Sequence, residues 1–364
     1  MRRRHGRVNR WVLVVLALVS LGLFHVELRS ARRHRTRFFG RKLEAARLST
    51  TAFSIVRDYR ERLGIPVDTI NDPGRTGLVG VQYSQLTYGR NDLSDVLTTL
   101  NPNFSAALVE ILVDAGVRSG DRVGISWDGT FPALNIQMLA AVRSLDLHPV
   151  IVTALSAGMW GANLPGFTWL DIERLLADSG VFEYRSVHAT LGGEADDGRA
   201  LSPAGREILQ LAADANGVEL HVPGSMTEAV ERRLEALEGV KAVVSIGRVV
   251  ADAGDPMARI PSRTIRKSTD RVAAGGMIAR LLQRGVPVVF LGNPSRVALD
   301  HGLPIAPVPL PDAGTGRLFY QRRYSVLLAA VIVLVLLALL LLVVRYNIES
   351  YFGAARRPPD EEAV

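Results

Sequence analysis

Two apolar runs bracket this 364-residue chain and restrict what it can fold into more than any other feature. The second run, Val326–Val344, contains no polar residue, and only four residues interrupt the apolar character of the first run, Trp11–Leu28. A helix needs roughly 20 apolar residues to cross a bilayer core, whereas a helix in a soluble core keeps a polar face. The sequence therefore predicts a membrane protein whose main domain is held between two anchors.

The first apolar run follows an arginine-rich tail, which is also typical of a cleaved signal peptide. The small-residue pattern of a cleavage site does not follow Leu28, so we interpret residues 11–28 as an uncleaved signal-anchor. A tail with five arginines crosses a membrane poorly, whereas long loops cross largely regardless of their charge. We therefore expect a two-pass protein of the cell membrane, with both termini cytoplasmic and the main domain outside.

Positive charge is concentrated near the first membrane segment. The whole chain has a net charge of +7, but residues 1–47 alone carry +11, so the remainder sums to −4. A nucleic-acid-binding domain would spread basic residues over a face of its fold, so no nucleic-acid partner is expected. The basic residues at 29–37 have two interpretations: contact with anionic headgroups of membrane lipids, or a determinant of topology.

Composition also bears on metal and cofactor chemistry. The chain has no cysteine, which excludes disulfides and thiolate metal sites. Its seven histidines show no spacing typical of metal ligands, so no metal site is predicted. No motif indicates a particular cofactor, and its identity stays unknown.

Between the two anchors, short apolar strands alternate with helices. This alternation predicts an α/β fold, a mostly parallel sheet with βαβ units, flanked by an N-terminal and a C-terminal transmembrane helix. The predicted strands are 122–126, 149–153, 186–189, 241–246 and 287–291. The predicted helices are 41–63, 104–115, 131–145, 171–178, 203–216, 227–237 and 271–284.

These patterns divide the chain into seven segments. They are a basic N-tail (1–10), a transmembrane signal-anchor (11–28), a basic juxtamembrane segment with an amphipathic helix (29–64), the α/β domain (65–302), a Pro-rich linker (303–325), a transmembrane helix (326–344) and a C-terminal tail (345–364).

Loops that follow the first two predicted strands are the best candidates for a binding site. Parallel sheets bind ligands at the carboxyl ends of their strands, where free N–H groups and the helix dipole favour an anion. Trp160 and Trp169 follow the second strand and Trp127 follows the first, which suggests ligand stacking or partner contact. The candidate ligand-binding residues are Ser126, Asp128, Gly129, Thr130, Asn135, Ser156, Trp160 and Asn163.

Other interpretations of the loops are open. The first loop is also consistent with an ordinary strand-to-helix turn in which Thr130 is the N-cap, the interpretation that physical reasoning alone favours. Ser245–Arg248 and Gly292–Ser295 follow two later strands and could each supply a non-specific anion contact. No nucleophile elbow is present, so catalytic residues stay unknown.

Several short motifs carry a resemblance to a known family. They are Gly77–Gly80, Thr87–Gly89, Gly120–Val123, Gly129–Asn135, Trp160–Asn163, Phe167–Asp171 and Gly192-Gly193. In this order they resemble the poly-gamma-glutamate system proteins, membrane-associated accessory proteins found with the machinery of capsule-type polyglutamate synthesis. The resemblance covers most of residues 65–300. It implies that the partners are the poly-gamma-glutamate ligase, its membrane partners and the polyglutamate chain, and it carries over no catalytic residue.

The leading functional hypothesis is therefore a membrane-anchored accessory protein of poly-gamma-glutamate synthesis or export that binds an anionic ligand or partner proteins. One alternative is an envelope hydrolase or transferase acting on an anionic substrate. Such an enzyme would gather titratable residues with shifted pKa values in one cleft. Another alternative is a non-catalytic scaffold for the ligase complex, which would show a sizeable exposed apolar patch.

Overall fold

The structure, a computed structural model, describes residues 10–267 and 272–346. Most of the predicted basic N-tail, nearly all of the C-terminal tail and the first residue of the predicted helix 271–284 lie outside the described residues. The chain forms two compact units. The terminal unit contains the chain up to Arg35 and from Tyr320 onward, and the α/β unit contains Thr36–Phe319.

The elements of the described chain are numbered in chain order. The helices are α1 (Arg10–Ser30), α2 (Phe39–Arg62), α3 (Leu93–Thr99), α4 (Phe104–Ala115), α5 (Pro132–Ser144), α6 (Trp169–Asp178), α7 (Pro203–Asn216), α8 (Met226–Ala236), α9 (Val250–Ala253), α10 (Met277–Gln283), α11 (Pro294–Asp300) and α12 (Val326–Tyr346). The strands are β1 (Arg32–Arg35), β2 (Thr87–Gly89), β3 (Arg122–Asp128), β4 (His148–Ala154), β5 (Ala157–Gly158), β6 (Asn163–Leu164), β7 (Phe167–Thr168), β8 (Ser186–Thr190), β9 (Leu220–His221), β10 (Ala242–Ile246), β11 (Thr264–Ile265), β12 (Val288–Leu291) and β13 (Tyr320–Arg323).

The terminal unit consists of α1, α12 and a short two-stranded ribbon. Trp11–Ser30 and Val326–Val343 are long and apolar enough to cross a membrane, with mean hydropathies of 2.2 and 3.6, and neither segment is buried inside the protein. The bent pair α3 and α4 also passes this test when counted together. Most α4 residues are nevertheless buried within the α/β unit. The prediction of two apolar terminal helices of spanning length is confirmed.

The α/β unit is built on a seven-stranded sheet with the order β11-β12-β10-β3-β4-β8-β9. Every neighbouring pair is parallel except β11 with β12, so the predicted mainly parallel α/β architecture is confirmed. Strand–helix–strand order holds for β3–α5–β4. The connection from β4 to β8 also contains the small strands β5–β7, and the edge strand β11 was not predicted.

The order of the strands creates one special position in the sheet. The chain starts in the centre with β3, moves outward through β4, β8 and β9, and then returns to place β10 and β12 on the other side of β3. The strand order therefore reverses between β3 and β10. In open parallel sheets, ligands bind in the crevice outside the carboxyl ends of the strands at such a switch point.

Strand β3 is buried from Val123 to Asp128, as is expected for a central strand with helices on both faces of the sheet. A Cβ on Gly124 would lie 2.9 Å from Leu237, next to α8. Trp127, three residues further and therefore on the opposite face, packs edge-on against Trp169 of α6 with ring centroids 5.1 Å apart. Both of these tryptophans are core residues, so the ligand-stacking interpretation is wrong for them.

The segments before residue 65 and after residue 302 contribute to the same compact unit. Helix α2 packs against α4 and α5, and the buried ammonium of Lys42 donates to the carbonyl of Leu318 at 2.9 Å and to Glu110. The side chain of Asn103 donates to the carbonyl of Asp312 at 2.9 Å and accepts from the N–H of Gly314 at 2.8 Å. The α/β unit therefore extends beyond the boundaries that composition suggested.

Candidate functional site

Asp128 lies at the switch point, where β3 ends beside β10. Its buried carboxylate accepts hydrogen bonds from the N–H of Thr130 at 2.8 Å, the hydroxyl of Tyr88 at 2.8 Å and the N–H of Arg248 at 3.2 Å. The Asp128 carboxylate therefore joins the loops after β3 and β10 to strand β2. It also occupies the two backbone donors that would otherwise be available to an external anion.

The electrostatics of this corner follow from burial. Burial raises the pKa of Asp128, although the donors from Thr130, Tyr88 and Arg248 oppose the rise. Burial and the neighbouring carboxylate raise the pKa of Tyr88 well above its ordinary value. The side chain of Arg248 is exposed beside them. The corner thus combines a carboxyl–phenol pair with a cation that solvent or a ligand can reach.

The loops after β3 and β4 are joined through glycine backbone. The N–H of Gly158 donates to the hydroxyl of Thr130 at 2.9 Å, and Gly129 accepts from the N–H of Ala162 at 2.7 Å. Helix α5 begins at Pro132 with Phe131 as its N-cap. The expectation that Thr130 caps this helix is therefore wrong, since its hydroxyl holds the neighbouring loop instead.

A third loop, residues 80–89, is tied to the same place. Gly80 donates its N–H to the carbonyl of Trp160 at 2.9 Å, and Trp160 donates to the carbonyl of Val81 at 2.9 Å. The amide of Asn163 accepts from the N–H of Val81 at 3.0 Å and donates to its carbonyl at 2.7 Å. Trp160 and Asn163, two predicted ligand residues, thus position this loop.

Two predicted polar groups have buried atoms with no hydrogen-bond partner among the described residues. They are the hydroxyl of Ser156 and Oδ1 of Asn135. The amide nitrogen of Asn135 donates to the carbonyl of Asp128 at 2.9 Å, so this side chain belongs to the same corner. Buried polar atoms normally have a partner, which makes these two atoms candidate acceptors or donors for a water or a ligand group.

A buried charged cluster lies at the same edge of the sheet, formed by Arg233 of α8 with Asp196, Asp252, Ser126 and Thr190. The guanidinium is fully buried and donates to Asp196 at 2.8 Å, to the hydroxyl of Ser126 at 2.8 Å and to Thr190 at 3.2 Å. Ser126 in turn donates to Asp252 at 2.9 Å. Burial lowers the pKa of Arg233, but the two carboxylates outweigh it and raise the pKa overall.

The structure brings seven of the eight predicted residues to the carboxyl ends of β3 and β4, while Ser126 turns into the Arg233 cluster. Sequence reasoning missed Tyr88, Arg233, Asp196 and Asp252 as partners. Asp196 lies in a glycine-rich segment that follows β8. Its inward orientation depends on Arg233, which lies 37 residues further along the chain. Within residues 10–267 and 272–346, no three His, Asp or Glu side chains are grouped so as to hold a metal.

Comparisons with known proteins add no assignment, since no protein family, curated protein or solved structure matches the chain significantly.

Proposed function

We propose that this chain is a two-pass membrane protein that assists poly-gamma-glutamate synthesis or export, and that its α/β unit binds the anionic polymer or its ligase at the switch point. The expected partners are membrane lipids, the ligase with its membrane partners, and the polyglutamate chain. Nucleic acid is not among them.

One observation carries this proposal: most motifs of the family resemblance, although distant in sequence, meet at one place, and Gly120–Val123 is the exception at the amino end of β3. Gly80 bonds to Trp160, and β2, which contains Thr87–Gly89, pairs with β5. Thr130 bonds to Gly158, and a Cβ on Gly192 would overlap the hydroxyl of Ser156. Motifs that served only the core would have no reason to gather at the carboxyl edge beside the switch point.

Arg248 is the group best placed to meet a carboxylate ligand. Its N–H is held by Asp128, whereas its guanidinium is exposed. Arginine binds carboxylates through paired, charge-assisted hydrogen bonds. The Arg248 side chain therefore supplies the positive charge at a corner whose backbone donors are already occupied.

Removal of this charge should weaken polymer binding. For the purified full-length protein, we expect Arg248→Gln to weaken binding of fluorescently labelled poly-gamma-glutamate by about three- to tenfold in an anisotropy titration at low salt. Arg284→Gln is the matched control. Arg284 is also exposed, but it precedes β12 and therefore lies near the amino ends of the parallel strands, away from the switch point. Equal affinities of both variants and the wild type would contradict the assignment of the site.

The enzyme alternative is favoured by one observation, the buried Asp128 beside Tyr88 with both pKa values raised. Groups with shifted pKa values cluster at catalytic sites. A hydrolase or transferase would lose turnover of a glutamyl polymer in the Tyr88→Phe variant. An accessory protein would show no turnover in either form.

The arginine-rich N-terminal tail supports an orientation in which the main domain lies outside the membrane. Because the chain has no cysteine, a single introduced cysteine can test this orientation. Leu211 is 60% exposed in the α/β unit, so Leu211→Cys offers one reactive thiol. We expect a membrane-impermeant maleimide to label Leu211→Cys in intact cells. Ala354→Cys in the C-terminal tail should be labelled only after permeabilisation. The reverse pattern would place the domain in the cytoplasm.

A further inference from the structure

The terminal unit contains a basic surface of its own. Strands β1 and β13 form an antiparallel ribbon, here called the arginine ribbon, although about 290 residues separate them in the chain. Arg32 is paired with Arg323, and Arg33 with Arg322. All four residues are exposed.

This pairing is unfavourable by itself. Residues directly opposite one another in an antiparallel pair share a face, and like charges there destabilise the pair. Arg33 and Arg322 therefore share one face, and Arg32 and Arg323 share the other. Within the described residues, none of these four arginines forms an ion pair with an acidic side chain. Two arginine pairs that face solvent without a counter-charge fit an anion as the missing partner.

The position of the ribbon identifies the kind of anion. Strand β1 starts two residues after α1 ends, and β13 ends three residues before α12 begins. The N–H of Ser325 lies 3.5 Å from the hydroxyl of Ser30, so the two helix ends are close together. Tyr320 in the ribbon and the half-exposed Tyr324 beside it are residues typical of the membrane–water interface.

We propose that the arginine ribbon is a binding site for the phosphate groups of anionic phospholipids, formed jointly by the two ends of the chain. The inference rests on the membrane insertion included in the proposed function, but it does not depend on polyglutamate. Each arginine pair offers a phosphate group two guanidinium groups from neighbouring strands. Basic residues next to a span each add roughly fivefold to the affinity for an anionic surface.

The test uses the full-length protein in a neutral detergent, with equimolar phosphatidylglycerol and phosphatidylcholine added. Native mass spectrometry counts the lipids that stay bound. We expect the wild type to prefer phosphatidylglycerol. This preference should fall at least about tenfold in the variant that combines Arg32→Gln, Arg33→Gln, Arg322→Gln and Arg323→Gln. The control removes the same charge from exposed positions of the α/β unit, with glutamine at Arg90, Arg118, Arg284 and Arg296.

Several outcomes would overturn the proposal. They are no lipid preference in the wild type, an unchanged preference in the ribbon variant, an equal loss in the control, or displacement of phosphatidylglycerol from the wild type by added polyglutamate. If the fourfold variant does not insert, Arg33→Gln with Arg322→Gln alone should still lose part of the preference. Lipid selectivity and polymer binding at Arg248 are separate readouts, so one proposal can fail while the other stands.

Discussion

Replacing Arg233 with alanine should destabilise the α/β unit more than any other single change considered. The guanidinium is fully buried and is the cation between Asp196 and Asp252, both of which are also buried. Removing one partner of a buried ion pair costs about 3–5 kcal/mol, because the remaining charge stays in the interior without compensation. We expect a loss of this size in urea unfolding of the detergent-solubilised full chain, followed by tryptophan fluorescence.

The neighbouring residue provides the control for this experiment. Arg232 lies on the same helix with its side chain 43% exposed, and it pairs with Glu219 and Glu235 at 3.6 and 3.5 Å. Exposed pairs contribute at most about 1 kcal/mol, so Arg232→Ala should have little effect. The loss in Arg233→Ala should also shrink as the pH falls, because burial raises the pKa of Asp252 and this carboxyl can then become protonated. A loss below about 1 kcal/mol for Arg233→Ala would show that the cluster does not hold the fold.

Gly80→Ala should separate the three loops that meet at the switch point. A Cβ on Gly80 would overlap the carbonyl oxygen of Gly161 and Oδ1 of Asn163. The oxygen of Gly161 belongs to backbone, so it cannot move aside as a flexible side chain could. Overpacking of this kind costs about 1–3 kcal/mol. We expect a lower unfolding midpoint and weaker polyglutamate binding in the same variant.

Gly89→Ala is the matched control, since a Cβ at that position in β2 would meet nothing within 4 Å. It changes a glycine of the same loop segment without a clash, so its unfolding midpoint and polymer binding should stay close to those of the wild type. If Gly80→Ala behaves like Gly89→Ala, the close approach of the loops is not required.

Much of the fold could be predicted because local patterns determine it. The helices at 104–115 and 203–216 have the predicted bounds, and each ends at a glycine with positive φ, at positions 116 and 217. Helix α10 is shorter than the predicted 271–284 and begins at Met277, since Gly276 stands at its N-cap in an extended conformation.

Long-range pairing explains what the sequence did not reveal. The alternation of strands and helices cannot show that β10 returns to the far side of β3, and this return creates the switch point. The partners of Asp128 come from residues 40 and 120 positions away, Tyr88 and Arg248. Similarly, β1 and β13 were not predicted as strands, because their paired sequences contain almost no apolar residues.

The central claim is that the switch point serves poly-gamma-glutamate production, and polymer output per amount of membrane-inserted protein tests it most directly. The native host lacking its own copy would be complemented with the wild type, with Arg248→Gln combined with Tyr88→Phe, or with the Arg284→Gln control. We predict that deletion lowers polymer output and that the wild type and the control restore it. The switch-point variant should reach normal abundance but restore less than about a third of the polymer output. This expectation follows because the loss of a charge-assisted contact should weaken polymer binding about tenfold. Polymer output that is unchanged by deletion, or that follows protein abundance alone in every variant, would contradict the account.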